Sequence, residues 1–153
     1  MDAKKIIITG SATRIGAALA LSLAKHGAQL TLHYNKSEKE VRKLKIKLES
    51  IGCEVFLIKA DLSRSKETKE IIPFAYKKMG GLDCLINNAS IFEKDNLHDF
   101  SEKSFSKHIN INLKAPATLT KDFKKYLKSK KGNIINIIDQ RIFKLTPFFF
   151  SYT

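Results

Sequence analysis

Short apolar runs rich in β-branched residues alternate with longer helical patterns along the whole chain. The apolar runs lie at residues 5–9, 29–34, 54–60, 84–87 and 133–138. The helical patterns lie between them, at 14–26, 36–51, 66–79 and within 99–130, where a break is expected near Pro116. Runs such as 6–8 and 134–138 are nearly continuous, which is typical of parallel strands covered on both faces. Strands separated by helices of this length form βαβ units, so the sequence predicts an α/β fold with a doubly wound parallel sheet.

Length and composition favour one domain with its own core, spanning residues 1–153. The apolar runs are far shorter than the ~20 residues that cross a bilayer. Residues 1–5 lead directly into the first strand and leave no room for a signal peptide. Cys53 and Cys84 show neither a disulfide spacing nor a metal-binding pattern, so we expect reduced thiols, no metal and a cytoplasmic protein without a membrane partner.

The formal net charge of +13 raises the hypothesis of nucleic-acid binding. The lysines, however, are spread over nearly every predicted helix. The densest group, residues 121–131, ends a predicted helix just before Gly132, where cations complement the helix dipole. We therefore expect a small-molecule substrate and no nucleic-acid partner.

A turn bounded by Gly10 and Gly16 follows the first strand and leads into a helix. Such a turn directs backbone N–H groups and a helix N-terminus toward a pyrophosphate. Arg14 stands where the central glycine of the related T-G-x-x-x-G-x-G pattern would be, followed by Ile15. The position of the turn predicts dinucleotide binding by these four residues.

The end of the second strand indicates which dinucleotide is bound. An acidic residue there would hold the ribose 2′-hydroxyl of NAD, but the sequence offers Asn35, Lys36 and Ser37 before the first acid, Glu38. A cation with amide and hydroxyl donors suits a 2′-phosphate, so we predict NADP(H). Ser37 can also cap the next helix, with Glu40 as its partner, and both roles can hold together.

Further landmarks follow in chain order: Asp61-Leu62 after the third strand, Asn88-Ala89-Ser90 after the fourth, Asn112 in the long helical stretch and Tyr152 after the fifth. With the turn from Thr9 to Gly16 they resemble the short-chain dehydrogenase/reductase family. The resemblance implies a Rossmann fold with five of the usual seven strands. It implies cofactor contacts at Asp61, Leu62, Asn88, Ala89 and Ser90, an Asn112 that serves in a water relay and a catalytic Tyr152.

Three departures from the common family pattern are similar to the pteridine reductases and their bacterial relatives: Arg14, the segment Ser90-Ile91-Phe92, and Asp139 in place of the usual catalytic serine. The resemblance implies that Arg14 contacts both cofactor phosphate and substrate, that Phe92 stacks on a pterin ring, and that Asp139 acts with Tyr152. Without these matches, Phe92 would be interpreted as a loop aromatic on the core and Arg14 as a solvated residue of the first helical turn.

The family's catalytic lysine follows the tyrosine by four residues and would be residue 156, whereas the sequence ends at Thr153. We therefore expect a C-terminally incomplete domain with negligible turnover, an exposed apolar tail at 145–152, and a homo-oligomer only for a full-length form. A carboxylate beside Tyr152 is expected to raise the pKa of the phenol.

The predicted function is an NADP(H)-dependent short-chain reductase that transfers hydride to a pterin-like or carbonyl substrate. Two alternatives stay open. One is a 3-oxoacyl or other carbonyl reductase of the same family, and the other is a non-catalytic module that binds a dinucleotide or a nucleic acid.

Overall fold

The structure, a computed structural model, describes residues 3–127, 131–144, 146 and 148–153. Within them lies a parallel sheet of five strands in the order β3-β2-β1-β4-β5. The strands are β1 (Lys5–Ile8), β2 (Gln29–Tyr34), β3 (Val55–Lys59), β4 (Cys84–Asn87) and β5 (Asn133–Asn136). The order reverses beside β1, which pairs with β2 on one side and β4 on the other. The predicted doubly wound parallel sheet is confirmed.

Two of the predicted helices are interrupted. The helices are α1 (Arg14–Lys25), α2 (Glu38–Glu49), α3 (Ser65–Thr68), α4 (Ile71–Met79), α5 (Glu102–His108) and α6 (Ala115–Leu127). The pattern at 66–79 divides into α3 and α4 at residues 69–70, where Pro73 has no N–H to offer the carbonyl of Lys69, four positions earlier. A π-helical turn, Ile109–Lys114, joins α5 to α6, so the break falls just before Pro116, near its predicted position. None of the described helices is both long and apolar enough to cross a membrane.

Side chains on the two faces of the sheet form separate apolar clusters. Successive residues of a strand point to opposite faces, so Ile6 and Ile8 pack toward α1 and α2, whereas Ile7 packs toward α4 and α6. All three are buried, as expected for a central parallel strand. Cys53 and Cys84 are free and buried, and burial raises the pKa of both thiols.

Strand β5 departs from the prediction. All four of its residues are exposed, and just beyond it Ile138 is 68% exposed. The expectation that this apolar run is covered on both faces is therefore wrong. The physical reason is its place at the sheet edge, since it pairs with β4 alone and α6 packs over β4.

The C-terminal segment also differs from the exposed tail that was predicted. Leu145 and Pro147 lie outside the described residues. Phe148 and Phe150 are 53% and 38% exposed, in agreement with the prediction, but Ser151 is buried. The ring of Phe150 packs against Phe100 with the centroids 4.9 Å apart. Residues 149–151 therefore contact the loop after β4, while the rings of Phe148 and Phe150 stay exposed.

Candidate active site

A cleft of about 530 Å3 opens at the carboxyl ends of β1, β2 and β4, where the strand order reverses. Open parallel sheets bind their ligands at such switch points. The predicted site residues that line it are Gly10, Arg14, Ile15, Gly16, Asn35, Lys36, Ser37, Leu62, Asn88, Ala89, Ser90, Phe92, Asp139 and Tyr152. Asp61 and Asn112 are not among the lining residues. Each is the chain neighbour of a residue that is, Leu62 and Ile111 respectively.

The two glycines of the turn are required by close packing. Gly10 has φ +61°, and a Cβ added to it would lie 2.8 Å from the Cα of Ala89. A Cβ on Gly16 would lie 2.4 Å from the carbonyl oxygen of Gly10. Any larger residue would push the turn away from the loop after β4 or from α1. The spacing of the glycines thus fixes how β1, β4 and α1 meet at the cleft.

Arg14 adopts a left-handed backbone conformation of the kind that favours glycine. Its φ is +49°, in the left-handed region that ordinary residues avoid at a cost of about 1–2 kcal/mol. It is the first residue of α1 and lines the cleft. A strained arginine at this point places a cation beside the positive end of the helix, which is consistent with an anionic ligand.

Thr9 and Asn88 join the turn to the loop after β4. The Thr9 hydroxyl accepts hydrogen bonds from the backbone N–H groups of Asn88 and Ala89, at 2.9 and 3.0 Å. The Asn88 side chain donates to the carbonyl oxygens of Thr9 and Gly10, at 2.9 and 3.0 Å. Asn88 therefore holds the shape of the cleft with its amide, a role that the sequence pattern did not show.

His33 is a site residue that sequence reasoning missed. It is 2% exposed and lines the cleft from beneath the turn. The N–H of Gly10 donates to its Nδ1 at 3.1 Å, so Nε2 carries the proton and donates to the carbonyl oxygen of Ala60 at 3.0 Å. Burial lowers the pKa of His33 to about 4, against the opposing effects of the Ala60 hydrogen bond and the charge of Asp61. A neutral histidine therefore supports the turn.

The predicted phosphate-binding residues lie together at one end of the cleft. Asn35, Lys36 and Ser37 line it, and Lys36 is exposed. Ser37 is the N-cap residue of α2, as predicted, but its side chain makes no capping hydrogen bond. The predicted capping interaction of Ser37 with Glu40 is therefore wrong for Ser37, because its hydroxyl accepts no hydrogen bond from the backbone of α2. The hydroxyl is available to a ligand.

Asp61 lies next to this end of the cleft. Its Oδ1 accepts hydrogen bonds from the N–H and the hydroxyl of Ser63, at 2.9 and 2.7 Å. Burial acts to raise the pKa of Asp61, but the Ser63 hydrogen bonds and the charges of Arg64 and Lys36 outweigh it, so the pKa is lowered. An ionised Asp61 is thus fixed beside Leu62, which lines the cleft itself.

Tyr152 and Asp139 meet at the other end of the cleft. The Tyr152 hydroxyl donates to Oδ2 of Asp139 at 3.0 Å. Burial raises the pKa of Tyr152, the hydrogen bond and negative charge of Asp139 raise it further, and the charge of Arg141 partly opposes them. The structure thus brings together two residues thirteen positions apart, with the phenol held in its protonated form.

Phe92 contributes an aromatic surface beside Tyr152. Its ring is 45% exposed and stacks on Phe149, with centroids 3.9 Å apart and planes 14° apart. Tyr152 meets it edge-on at 4.7 Å. The Arg141 guanidinium carbon lies 5.3 Å from the centroids of both Phe92 and Phe149, which places the cation at the side of the stacked pair. In this structure Phe149 therefore covers part of the surface that was predicted to stack on a pterin.

Asn112 lies in the π-helical turn and lines an adjoining cavity of about 560 Å3 that shares Asp139 and Tyr152 with the cleft. Its side-chain oxygen accepts from the N–H of Ile91 at 2.9 Å, and its nitrogen donates to the Ile91 carbonyl at 3.0 Å. Both ends of the amide thus hold the loop that carries Phe92. Its service in a water relay stays a prediction.

The short chain dehydrogenase family matches residues 4–153. The chain belongs to this family. A short-chain dehydrogenase/reductase of Pestalotiopsis microspora is 29% identical to it over 135 residues, which are 88% of this chain and 51% of that protein. The chain spans about half the length of the curated relatives it matches.

Two solved structures share the fold. FolM alternative dihydrofolate reductase 1 from Brucella canis, complexed with NADP, is 34% identical with a TM-score of 0.90, over 97% of this chain and 60% of that one. A short chain dehydrogenase from Burkholderia cenocepacia, in complex with NADP, is 26% identical with a TM-score of 0.89, over 94% and 58%. The predicted family and fold are confirmed, whereas the roles of individual site residues stay predictions.

Proposed function

We propose that this chain supplies the cofactor cleft and the proton donor of an NADP(H)-dependent reductase that acts on a pterin-like ring. The observation that carries the proposal is the Tyr152–Asp139 hydrogen bond of 3.0 Å, which lies in the same cleft as the glycine turn, Arg14 and Phe92. A phenol, an aromatic face and a cation around one cleft suit a flat, polar heteroaromatic substrate.

NADP(H) is the proposed cofactor because of the donor set at the end of β2. Lys36, Asn35 and Ser37 offer a cation, an amide and a hydroxyl to a 2′-phosphate, and no carboxylate lies among them. Arg14 and the start of α1 would hold the pyrophosphate. The NADP-bound structures from Brucella canis and Burkholderia cenocepacia support this assignment.

The chemistry proposed for the chain's own residues is proton delivery and substrate orientation. Reduction of a C=N or C=O bond requires one hydride and one proton, and NADPH supplies the hydride when it is bound. Tyr152 carries its proton at neutral pH, as a phenol with a pKa of ~10 or above does, so its hydroxyl can act as the acid. Burial and Asp139 raise its pKa and so weaken it as an acid, and the charge of Arg141 partly opposes them. Phe92 would set the plane of the ring, with Arg14 at its edge.

A carbonyl substrate is the second candidate, and one observation favours it. Phe149 stacks on Phe92 and takes up part of the aromatic surface that a pterin would need. A small ketone or a 3-oxoacyl group would fit beside Tyr152 without displacing Phe149.

Cofactor choice is tested with the 153-residue chain by isothermal titration with NADPH and NADH. We expect tighter binding of NADPH, and we expect Lys36→Glu to weaken NADPH about tenfold while leaving NADH unchanged. Lys39→Glu is the matched control, because Lys39 carries the same charge on the exposed surface of α2. Equal binding of the two cofactors, or equal losses in both variants, would contradict the assignment.

Substrate class is tested by titrating the NADPH-saturated chain with a dihydropterin and with an acetoacetyl thioester. Stacking on Phe92 predicts that the pterin binds and that Phe92→Ala abolishes its binding. Phe105→Ala is the control, since Phe105 is similarly exposed, at 41%, but lies on α5 outside the lining of the cleft. Binding of the thioester alone would favour the carbonyl reductase.

A further inference from the structure

Three consecutive backbone N–H groups just before Tyr152 converge on one aspartate. Phe149 and Phe150 donate to the carbonyl oxygen of Asp95, at 2.6 and 3.2 Å. Ser151 donates to Oδ1 of the same residue at 3.0 Å. Asp95 lies more than fifty positions earlier, in the loop after β4, so these bonds join two distant segments of the chain.

Asp95 is held in place by a second group of contacts. It is 7% exposed, and its Oδ2 accepts a hydrogen bond from the Ser104 hydroxyl at 3.3 Å. A buried carboxylate is costly unless its oxygens are paired, and here both are. Burial acts to raise the pKa of Asp95, but hydrogen bonds from Ser151 and Ser104 and the nearby His108 outweigh it, so the pKa is lowered. Asp95 is therefore ionised at neutral pH.

The support extends into α5. His108 is 1% exposed, its Nδ1 lies 2.9 Å from the carbonyl oxygen of Ser104, and its Nε2 accepts from the N–H of Glu93 at 3.3 Å. This pattern places the imidazole proton on Nδ1. The His108 ring also lies 6.4 Å from the ring of Tyr152. The Asp95 carboxylate, which accepts the N–H of Ser151, is thus held in place by α5 as well as by its own loop.

The backbone of the C-terminal segment depends on these contacts. Phe149 has φ +79°, a left-handed conformation that a bulky residue keeps only where surrounding contacts impose it. The stack on Phe92 and the bonds to Asp95 impose it here. Strand β5 is exposed at the sheet edge and by itself offers little to fix the position of the C-terminal segment.

We propose that Asp95 is a positioning residue that sets where Tyr152 stands in the active site. Asp139 holds the hydroxyl of Tyr152, and Asp95 holds the backbone immediately before it. The inference rests on the proposed function only in taking Tyr152 as the proton donor. The loop after β4 thus supplies both the exposed ring of Phe92 and the aspartate that holds the backbone of the neighbouring Tyr152.

The test observes the tyrosine directly, by NMR of the 153-residue chain labelled with carbon-13 at the tyrosine Cζ. The four tyrosines give four signals, and Tyr152→Phe identifies the one of interest. Asp95→Ala removes the acceptor of the Ser151 N–H but keeps the backbone carbonyl that holds Phe149 and Phe150, so we expect the Tyr152 signal to move part of the way to its value in an unfolded peptide while the other three stay in place. Asp95→Asn keeps an acceptor for the Ser151 N–H and should restore most of the native shift.

Asp99→Ala is the matched control, because Asp99 lies in the same loop and bonds to Asn96. It should leave the Tyr152 signal unchanged. If Asp95→Ala fails to fold, Ser104→Ala decides, since it removes one support of the carboxylate and should shift the Tyr152 signal part of the way. An unchanged Tyr152 signal in Asp95→Ala, or in Ser104→Ala if that variant must decide, overturns the proposal. These signals do not depend on pterin or NADPH binding, so the proposed function can fail separately.

Discussion

The neutral His33 beneath the glycine turn makes the stability of this fold depend on pH in a definite window. Its Nδ1 accepts from the N–H of Gly10, so a proton added at Nδ1 would face another N–H group in a buried site. The folded chain resists that protonation, whereas the unfolded chain accepts it at the ordinary histidine pKa of 6.5. Stability is therefore full above pH 6.5 and is lost as the pH falls toward 4.

The magnitude of this loss is set by the pKa of about 4 that burial gives His33. At pH 5 the unfolded state is favoured about thirtyfold relative to pH 8, which corresponds to a loss of about 2 kcal/mol in the free energy of unfolding. Between pH 6 and 5 the slope averages ~1.2 kcal/mol per pH unit. The pKa values of Asp61 and Asp95 are lowered, so their contributions to the free energy of unfolding are lost only below the ordinary carboxyl pKa of 3.8, outside this pH window.

Urea unfolding monitored by far-ultraviolet circular dichroism, at half-unit steps from pH 5 to 8, measures this loss. His33→Gln removes the titrating group and should flatten the profile, whatever it does to stability at pH 8. His98→Gln, at an exposed histidine, should keep the wild-type profile. A wild-type loss below ~0.5 kcal/mol, or a His33→Gln profile as steep as the wild type, would refute the reasoning.

Other perturbations test neighbouring features. Gly16→Ala should abolish NADPH binding in titration calorimetry, because its Cβ would lie 2.4 Å from a carbonyl oxygen of the turn; unchanged affinity would contradict the close packing. Arg14→Gly should raise the free energy of unfolding by about 1 kcal/mol through relief of the left-handed backbone, while NADPH binding weakens. Asp139→Asn should lower the pKa of Tyr152, measured by the phenolate absorbance, since the carboxylate that raises it loses its charge. The exposed edge strand β5 should make the wild-type chain self-associate, and Ile135→Lys should reduce that association; a sedimentation coefficient that is the same at all concentrations in the wild type would exclude it.

The sheet and the cleft could be predicted because their signals are local. An unbroken run such as Ile6-Ile7-Ile8 indicates a covered parallel strand, and Gly10 and Gly16 mark a turn whose steric requirements are set by nearby backbone. The same rule failed at Ile134–Ile138, since a continuous apolar run gives no information on whether a strand lies at the centre or the edge of a sheet.

The supports of the site were not predictable for a different reason. Asp95 acts on backbone N–H groups of residues 149–151, and backbone donors are present at almost every position, so this pairing leaves no pattern in the sequence. His33 likewise depends on where Gly10 and Ala60 come to rest in the folded chain. Residues that would touch a ligand carry recognisable types and spacings, whereas the residues that hold them do not.

The single hydroxyl of Thr9 has a consequence for how the affinities of two ligands depend on each other. It lies at the base of the phosphate turn and also receives the N–H groups that begin the Ser90–Phe92 loop. A dinucleotide that stiffens the turn would therefore reduce the entropy still to be lost in ordering that loop. Binding of the dinucleotide should then raise the affinity for a substrate at the loop, and binding of the substrate should raise the affinity for the dinucleotide by the same factor. Thr9→Val, which keeps the shape and removes the acceptor, should uncouple the two affinities.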